Sequence, residues 1–163
     1  MTAVRPTLGF LLGHPAHFVA LGFGSGLAPW APGTFGTLVA IPIAAALRSS
    51  GSDAIFALAI LALFAIGTWT AEITNRDLGK ADHGAIVIDE IVAFLAVLYF
   101  VGGDPLRVVL AFGLFRLFDI VKPPPIRQLD AALKNGFGVM LDDLLAAGYA
   151  LIVFAVGARL FGE

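Results

Sequence analysis

Eighteen consecutive residues, 54–71, carry no charge. As an α-helix that run spans about 27 Å, close to the hydrocarbon thickness of a bilayer. Four more apolar stretches accompany it, at 35–47, 85–101, 106–121 and 138–160. Hydrophobic residues make up 59% of the chain and charged residues 13%, against about 25% charged in a soluble domain. These features predict an all-α, polytopic membrane helix bundle with four to five apolar helices. The length predicts a single domain over 1–163. The stretch 35–47 is short and contains Pro42, so a full crossing and a half-buried, re-entrant segment are both open for it.

Polar connectors are expected at 72–84 and 122–137, and short turns at 48–53 and 102–105. The run Lys122-Pro-Pro-Pro125 stops the fourth helix, since proline lacks an amide donor and restricts the residue before it. A short amphipathic piece is expected near 14–21, followed by a structured Gly-rich loop. The start does not read as a signal peptide, because the apolar run after Arg5 is short and broken by His14 and Pro15. If every stretch from the second onward crosses, the third and fifth run parallel. One side then holds Arg76, Lys80, Arg116, Lys122, Arg127 and Lys134, the other Arg48, Arg107 and Arg159. That asymmetry makes the first side cytoplasmic.

The third and fifth stretches each contain an acidic pair. Ala85-Ile-Val-Ile-Asp-Glu-Ile-Val-Ala93 and Gly138-Val-Met-Leu-Asp-Asp-Leu-Leu-Ala146 align on Asp89 and Asp142. An Asp at the centre of a membrane helix costs about 2.5–3.5 kcal/mol, less toward its ends. Adjacent helical residues diverge by about 100°, so one pair cannot aim both acids at one point, whereas two pairs on neighbouring helices can surround a site. Asp89, Glu90, Asp142 and Asp143 are therefore candidate metal ligands, and hard oxygen donors suit Mg²⁺. The competing reading is solvated acids favoured by the helix dipole.

Other polar residues are less decisive. Asp119 and Lys122, at i,i+3, are either a plain ion pair or a metal or water partner with a phosphate-binding cation; Arg116 shares their face. Arg127 is a second phosphate clamp or an anchor for anionic lipid. His83 is a general acid or base, or a structural histidine at the interface. In the Gly-rich loop 22–37, the helix-start amides around Gly33 and Gly36, with the Thr34 and Thr37 hydroxyls, could bind an anionic group; a tight turn capped by Thr34 is the alternative.

Several classes are excluded. A net charge of −2 provides no basic face for nucleic acid. The chain has no cysteine, which removes thiol nucleophiles, thiolate metal sites and disulfides. Gly- and Ala-rich helix faces such as 144–158 permit oligomers without indicating one. A small ion- or proton-coupled transport protein remains as an alternative, although its acids would all sit on one side. A lipid-binding scaffold would leave four paired acids unexplained.

Three blocks together resemble the phosphatidylglycerophosphatase A family: GFGSGLAPWAPGTFGTLVAIP at 22–42, DHGAIVIDEIVAF at 82–94, and FRLFDIVKPPPIRQLD at 115–130 with GFGVMLDDLLAAGYA at 136–150. The resemblance implies a Mg²⁺-dependent phosphatase of the bacterial inner membrane. Its substrate would be phosphatidylglycerophosphate, a phospholipid in the bilayer, and its products phosphatidylglycerol and phosphate. On that basis Asp89, Glu90, Asp142 and Asp143 hold metal at the cytoplasmic mouth. Lys122 and Arg116 offset phosphoryl charge, Asp119 or His83 handles the proton of water, and the Gly-rich loop closes over the headgroup.

Overall fold

The computed structural model describes residues 5–161, so the single-domain expectation over 1–163 extends at both ends beyond the described residues. Two short helices open the chain, α1 (Leu8–Gly13) and α2 (Pro15–Ala20), followed by a 3₁₀ segment, Gly22–Leu27. The remaining helices are α3 (Pro32–Arg48), α4 (Asp53–Leu78), α5 (Ile88–Val101), α6 (Pro105–Val121), α7 (Ile126–Ala132) and α8 (Gly136–Phe161). Among the described residues there is no strand, in line with the all-α expectation.

Two of these helices, Asp53–Leu78 and Gly136–Leu160, are long and apolar enough to cross a bilayer. Helix α3 is apolar but shorter. Helix α5 has 14 residues, about 21 Å of helix, and forms the centre of the bundle. It packs against α3, α4, α6 and α8, and residues such as Ile88, Ile91, Phe94, Leu95 and Leu98 are buried. Phe94 stacks on Phe115 at 5.5 Å and meets the Phe112 ring edge-on at 5.7 Å. The outer faces are also apolar: Leu58, Leu61 and Trp69 of α4, Val109 and Ile120 of α6, and Ile152 and Val156 of α8 are exposed. A soluble monomer rarely exposes so much apolar surface, whereas lipid covers it at no cost.

Several boundaries differ from the expectation. Residues 72–78, read as a connector, extend α4 by two turns; Thr74 and Asn75 are buried there, and left-handed Gly79 ends the helix. Residues 85–87 are not helical. His83 and Ala20 carbonyls take the Ile86 and Val87 amides at 2.8 and 2.9 Å, so α5 starts only at Ile88. Helix α7 lies inside the second expected connector, starting just after the Pro123-Pro124-Pro125 run. Helix α2 coincides with the amphipathic piece near 14–21 and is tied to α4 by His17. This imidazole donates through Nδ1 to the Phe10 carbonyl at 2.9 Å, and its Nε2 meets Asp77 Oδ2 at 2.7 Å.

The contacts put the starts of α5 and α8 and the ends of α4 and α6 at one end of the bundle. Glu72 of α4 accepts the Gly136 amide at the start of α8 at 2.7 Å, Arg116 of α6 reaches Glu90 of α5, and Lys122 reaches Asp142 of α8. Arg48 and Gly103 meet at the opposite end.

Candidate metal and phosphate site

Asp89 and Glu90 occupy the first turn of α5, where the unpaired amides of a helix start favour negative charge. Asp142 and Asp143 lie in the second turn of α8, which packs along α5. Asp89, Asp142 and Asp143 are buried. Carboxylate oxygens of Asp89, Glu90 and Asp143 all lie within 4.8 Å of one another. At an effective dielectric of about 20, two ionised carboxylates at that separation repel by roughly 3.5 kcal/mol.

Asp142 turns elsewhere. Its carboxylate pairs with Lys122 Nζ, and the roughly 100° between adjacent helical residues accounts for the split from Asp143. The four acids expected to share a metal thus divide into a group of three and one ion-paired Asp.

Two cations flank the acids. Arg116 Nη1 stands 2.5 Å from Asp119 Oδ2 and 3.6 Å from Glu90 Oε1, with all three side chains largely shielded. Lys122 ends α6 in a left-handed conformation. Its ammonium bridges Asp142 and, at 3.4 Å, Asp130, which also accepts from Lys134 at 2.9 Å. Burial alone would lower the Lys122 pKa, but Asp142, Asp130 and Asp82 outweigh it and hold the ammonium above its ordinary value. Burial opposes ionisation of Asp130, yet Lys134 and Lys122 hold its carboxyl below the usual range.

The Gly-rich loop backs the cluster through Gly33. A Cβ added there would lie 2.1 Å from Glu90 Oε1 and 3.0 Å from Arg116 Nη1. Gly33→Ala is therefore expected to displace both side chains and lower turnover by roughly 100-fold, with the protein still folded; kinetics alongside circular dichroism check this. Gly36 packs against Val87. The buried Thr37 hydroxyl donates to the Gly33 carbonyl at 2.8 Å, so it is used within α3. Thr34 is not the cap. Ala31, left-handed, precedes Pro32 and takes the Thr34 amide at 2.9 Å.

His83 is buried in the loop before α5. Its amide donates to Asn75 Oδ1 at 3.3 Å, and its Nδ1 accepts from the Ala85 amide at 3.2 Å. Arg127 lies exposed on α7. The sequence reading missed Asp130 as the second partner of Lys122, although Asp130 and Lys134 at i,i+4 were a local signal. The bond from the Gly136 amide to Glu72, which spans 64 residues, leaves no local trace.

A divalent cation fits this site. Glu90 Oε2, Asp142 Oδ1 and Asp143 Oδ2 are buried with no hydrogen-bond partner among the described residues. Unsatisfied buried charge is costly, and hard oxygen donors are what Mg²⁺ or Ca²⁺ coordinates. Chemically, the arrangement can hold a cation on Asp89, Glu90 and Asp143 and an anion between that cation and the two basic residues.

Comparison with known proteins bears on which anion. The sequence model for phosphatidylglycerophosphatase A matches residues 18–158. A Haemophilus influenzae protein named phosphatidylglycerophosphatase A is 44% identical over 158 residues, covering 96% of this chain and 97% of that one. An Escherichia coli protein of the same name is 37% identical over 136 residues, covering 83% of this chain and 78% of its own. A Bacteroides thetaiotaomicron protein named putative phosphatidylinositol-3-phosphatase is 38% identical over 157 residues, covering 88% and 94%. No solved structure matches the chain. Because the match runs from α2 through the Gly-rich turn and both acidic helices almost to the end of α8, the chain belongs to the phosphatidylglycerophosphatase A family.

Proposed function

We propose that the chain hydrolyses the terminal phosphomonoester of phosphatidylglycerophosphate, with Mg²⁺ held by Asp89, Glu90 and Asp143. The observation that carries this reading is the buried three-carboxylate group, with unsatisfied oxygens, beside Arg116 and Lys122 at one end of an apolar bundle. Family membership supports a phosphatase and sets aside the transport alternative. The three relatives' names share a phosphomonoester on a lipid headgroup, glycerol in two and inositol in one. Residues 1–163 act as one membrane-embedded domain, in which α3, α5 and α6 complete the bundle around the two long helices. The site faces the cytoplasm from the bacterial inner membrane, as the Lys/Arg-rich end of the bundle supports.

When bound, Mg²⁺ would supply charge neutralisation at the phosphoryl oxygens and a lower pKa for an attacking water. Asp89, Glu90 and Asp143 would hold that ion, and the buried setting fixes their positions. Lys122 keeps its charge at neutral pH and offsets the phosphate, positioned by Asp142 and Asp130. Arg116 does the same from the other side, oriented by Asp119. Asp119 also accepts the proton of the incoming water, because His83 has Nδ1 engaged by Ala85. Gly33 leaves room for Glu90 and Arg116 beside the headgroup. The acyl chains stay in lipid against the exposed apolar faces.

Phosphate release from phosphatidylglycerophosphate in detergent micelles tests the activity directly. Release with Mg²⁺, stopped by EDTA and restored by added Mg²⁺, is the expected result. Equal release with and without EDTA overturns the metal assignment, and no release from folded protein overturns the substrate.

A further inference from the structure

We propose that a second oxyanion subsite lies beside the carboxylate cluster, in the cavity between the Gly-rich turn and the segment preceding α5, and that it takes the phosphodiester of the lipid headgroup. This rests on the phosphatase reading for the reaction but on separate residues for its evidence. The cavity has a volume of about 350 Å³ and is lined by Arg5, Lys80, His83, Gly26, Pro29 and Pro32 among others, with no acidic residue among the described residues of its wall. Among the described residues, neither Arg5 nor Lys80 makes a salt bridge. Arg116, Lys122 and Lys134 at this end are each matched to a carboxylate, and exposed Arg127 of α7 lies outside the cavity. Two unmatched cations on one concave surface suit an anion with several acceptor oxygens.

The turn that forms one wall is held close. A Cβ on Gly26 would fall 2.0 Å from the Ala85 carbonyl, so only glycine lets the loop lie against this segment. The other wall is fixed by His83, whose Nδ1 takes the Ala85 amide.

Adjacency to the metal group follows from the chain. Pro32 lines the cavity, and Gly33, one Cα step or about 3.8 Å away, is the residue whose Cβ would meet Glu90 Oε1. Ala85 lines the cavity, and Asp89 follows four residues later, at most about 14 Å along the chain. In phosphatidylglycerophosphate one glycerol separates the monoester from the diester, so a monoester at the carboxylate cluster puts the diester nearby. A headgroup with no second anion would leave Arg5 and Lys80 unmatched.

The test uses the full chain in neutral detergent, with Arg5→Gln, Lys80→Gln and the double variant. Both side chains are exposed, so folding is not at stake. The first probe is dihexanoyl phosphatidylglycerol, which keeps the diester and lacks the monoester. Saturable binding by the parent protein, weakened at least about tenfold in the double variant and retained in Lys80→Arg, is expected. The second readout is the ratio of kcat/KM for phosphatidylglycerophosphate to that for glycerol 3-phosphate, which has no diester. That ratio should fall by a similar factor, through KM on the lipid. Equal affinity of parent and double variant for the probe, or an unchanged ratio, overturns the proposal. A weaker inhibition by inorganic phosphate with lipid binding unchanged would assign the cavity to free phosphate and overturn the headgroup assignment. The binding arm needs no turnover. Diester binding lost in the variants of a protein that hydrolyses neither substrate would therefore count against the phosphatase reading alone.

Discussion

Asp143→Asn is expected to lower phosphate release about 1,000-fold while the protein remains folded and in the membrane fraction. Asp89→Asn should do the same. The size follows from losing charge stabilisation at a reaction whose uncatalysed rate is among the slowest known. Folding should survive because each substitution relieves repulsion among three carboxylates within 4.8 Å, worth roughly 3.5 kcal/mol per ionised pair. A thermal shift separates the two effects. Mg²⁺ at about 100 times its Kd should stabilise the parent protein by about 2.7 kcal/mol, and the Asn variants should lose most of that gain. Near-parent turnover in both variants would remove these residues from the metal site.

The second large effect concerns Lys122 and Asp142, and here activity and stability should separate. Lys122→Met leaves Asp142 buried without its partner, which costs about 3 kcal/mol. Turnover should fall by about 100-fold or more, because a phosphate-facing cation is gone. Adding Asp142→Leu to Lys122→Met removes the stranded charge, so the double variant should regain most of the lost stability. It should regain none of the activity. Recovery of both would make the pair structural, and recovery of neither would point to a wider role for Asp142. The readouts are melting temperature in detergent and phosphate release at saturating lipid.

These expectations depend on a division among the acids that the sequence states only indirectly. The two pairs are conspicuous because charge is rare in apolar helices, and that rarity is readable in one dimension. The 100° divergence of neighbouring residues is also readable, but which residue of each pair faces which partner depends on helix rotation. Hence Asp142 goes to Lys122 while Glu90 stays with Asp89. Arg116 and Asp119 were legible as an i,i+3 pair on one helix face, whereas Lys122 leaves the helix in a left-handed conformation and pairs with Asp142 and Asp130 in place of Asp119.

The misread parts share a different cause. Residues 72–78 look like a connector because they are polar, yet Thr74 and Asn75 are buried against the bundle and Glu72 holds the start of α8. Polarity marks the end of an apolar stretch and not the end of a helix. Residues 85–87 look helical because they are apolar, yet contacts from Ala20 and His83 hold them out of the helix. Thr34 looks like a cap from its type, but Ala31 and Pro32 set the start of α3 one turn earlier. The first two were decided by partners distant in the chain, Gly136 and Ala20, and the third by the local backbone at Ala31 and Pro32.

The most direct measurement is Mn²⁺ binding, followed by electron paramagnetic resonance, to the purified parent protein and to Asp143→Asn in detergent without substrate. Mn²⁺ takes the same oxygen donors as Mg²⁺ and reports binding without turnover. Saturable binding by the parent, displaced by excess Mg²⁺ and weakened at least about tenfold in Asp143→Asn, is the expected result. Equal binding by both proteins, or none by a folded parent that still releases phosphate, would contradict the three-carboxylate metal centre.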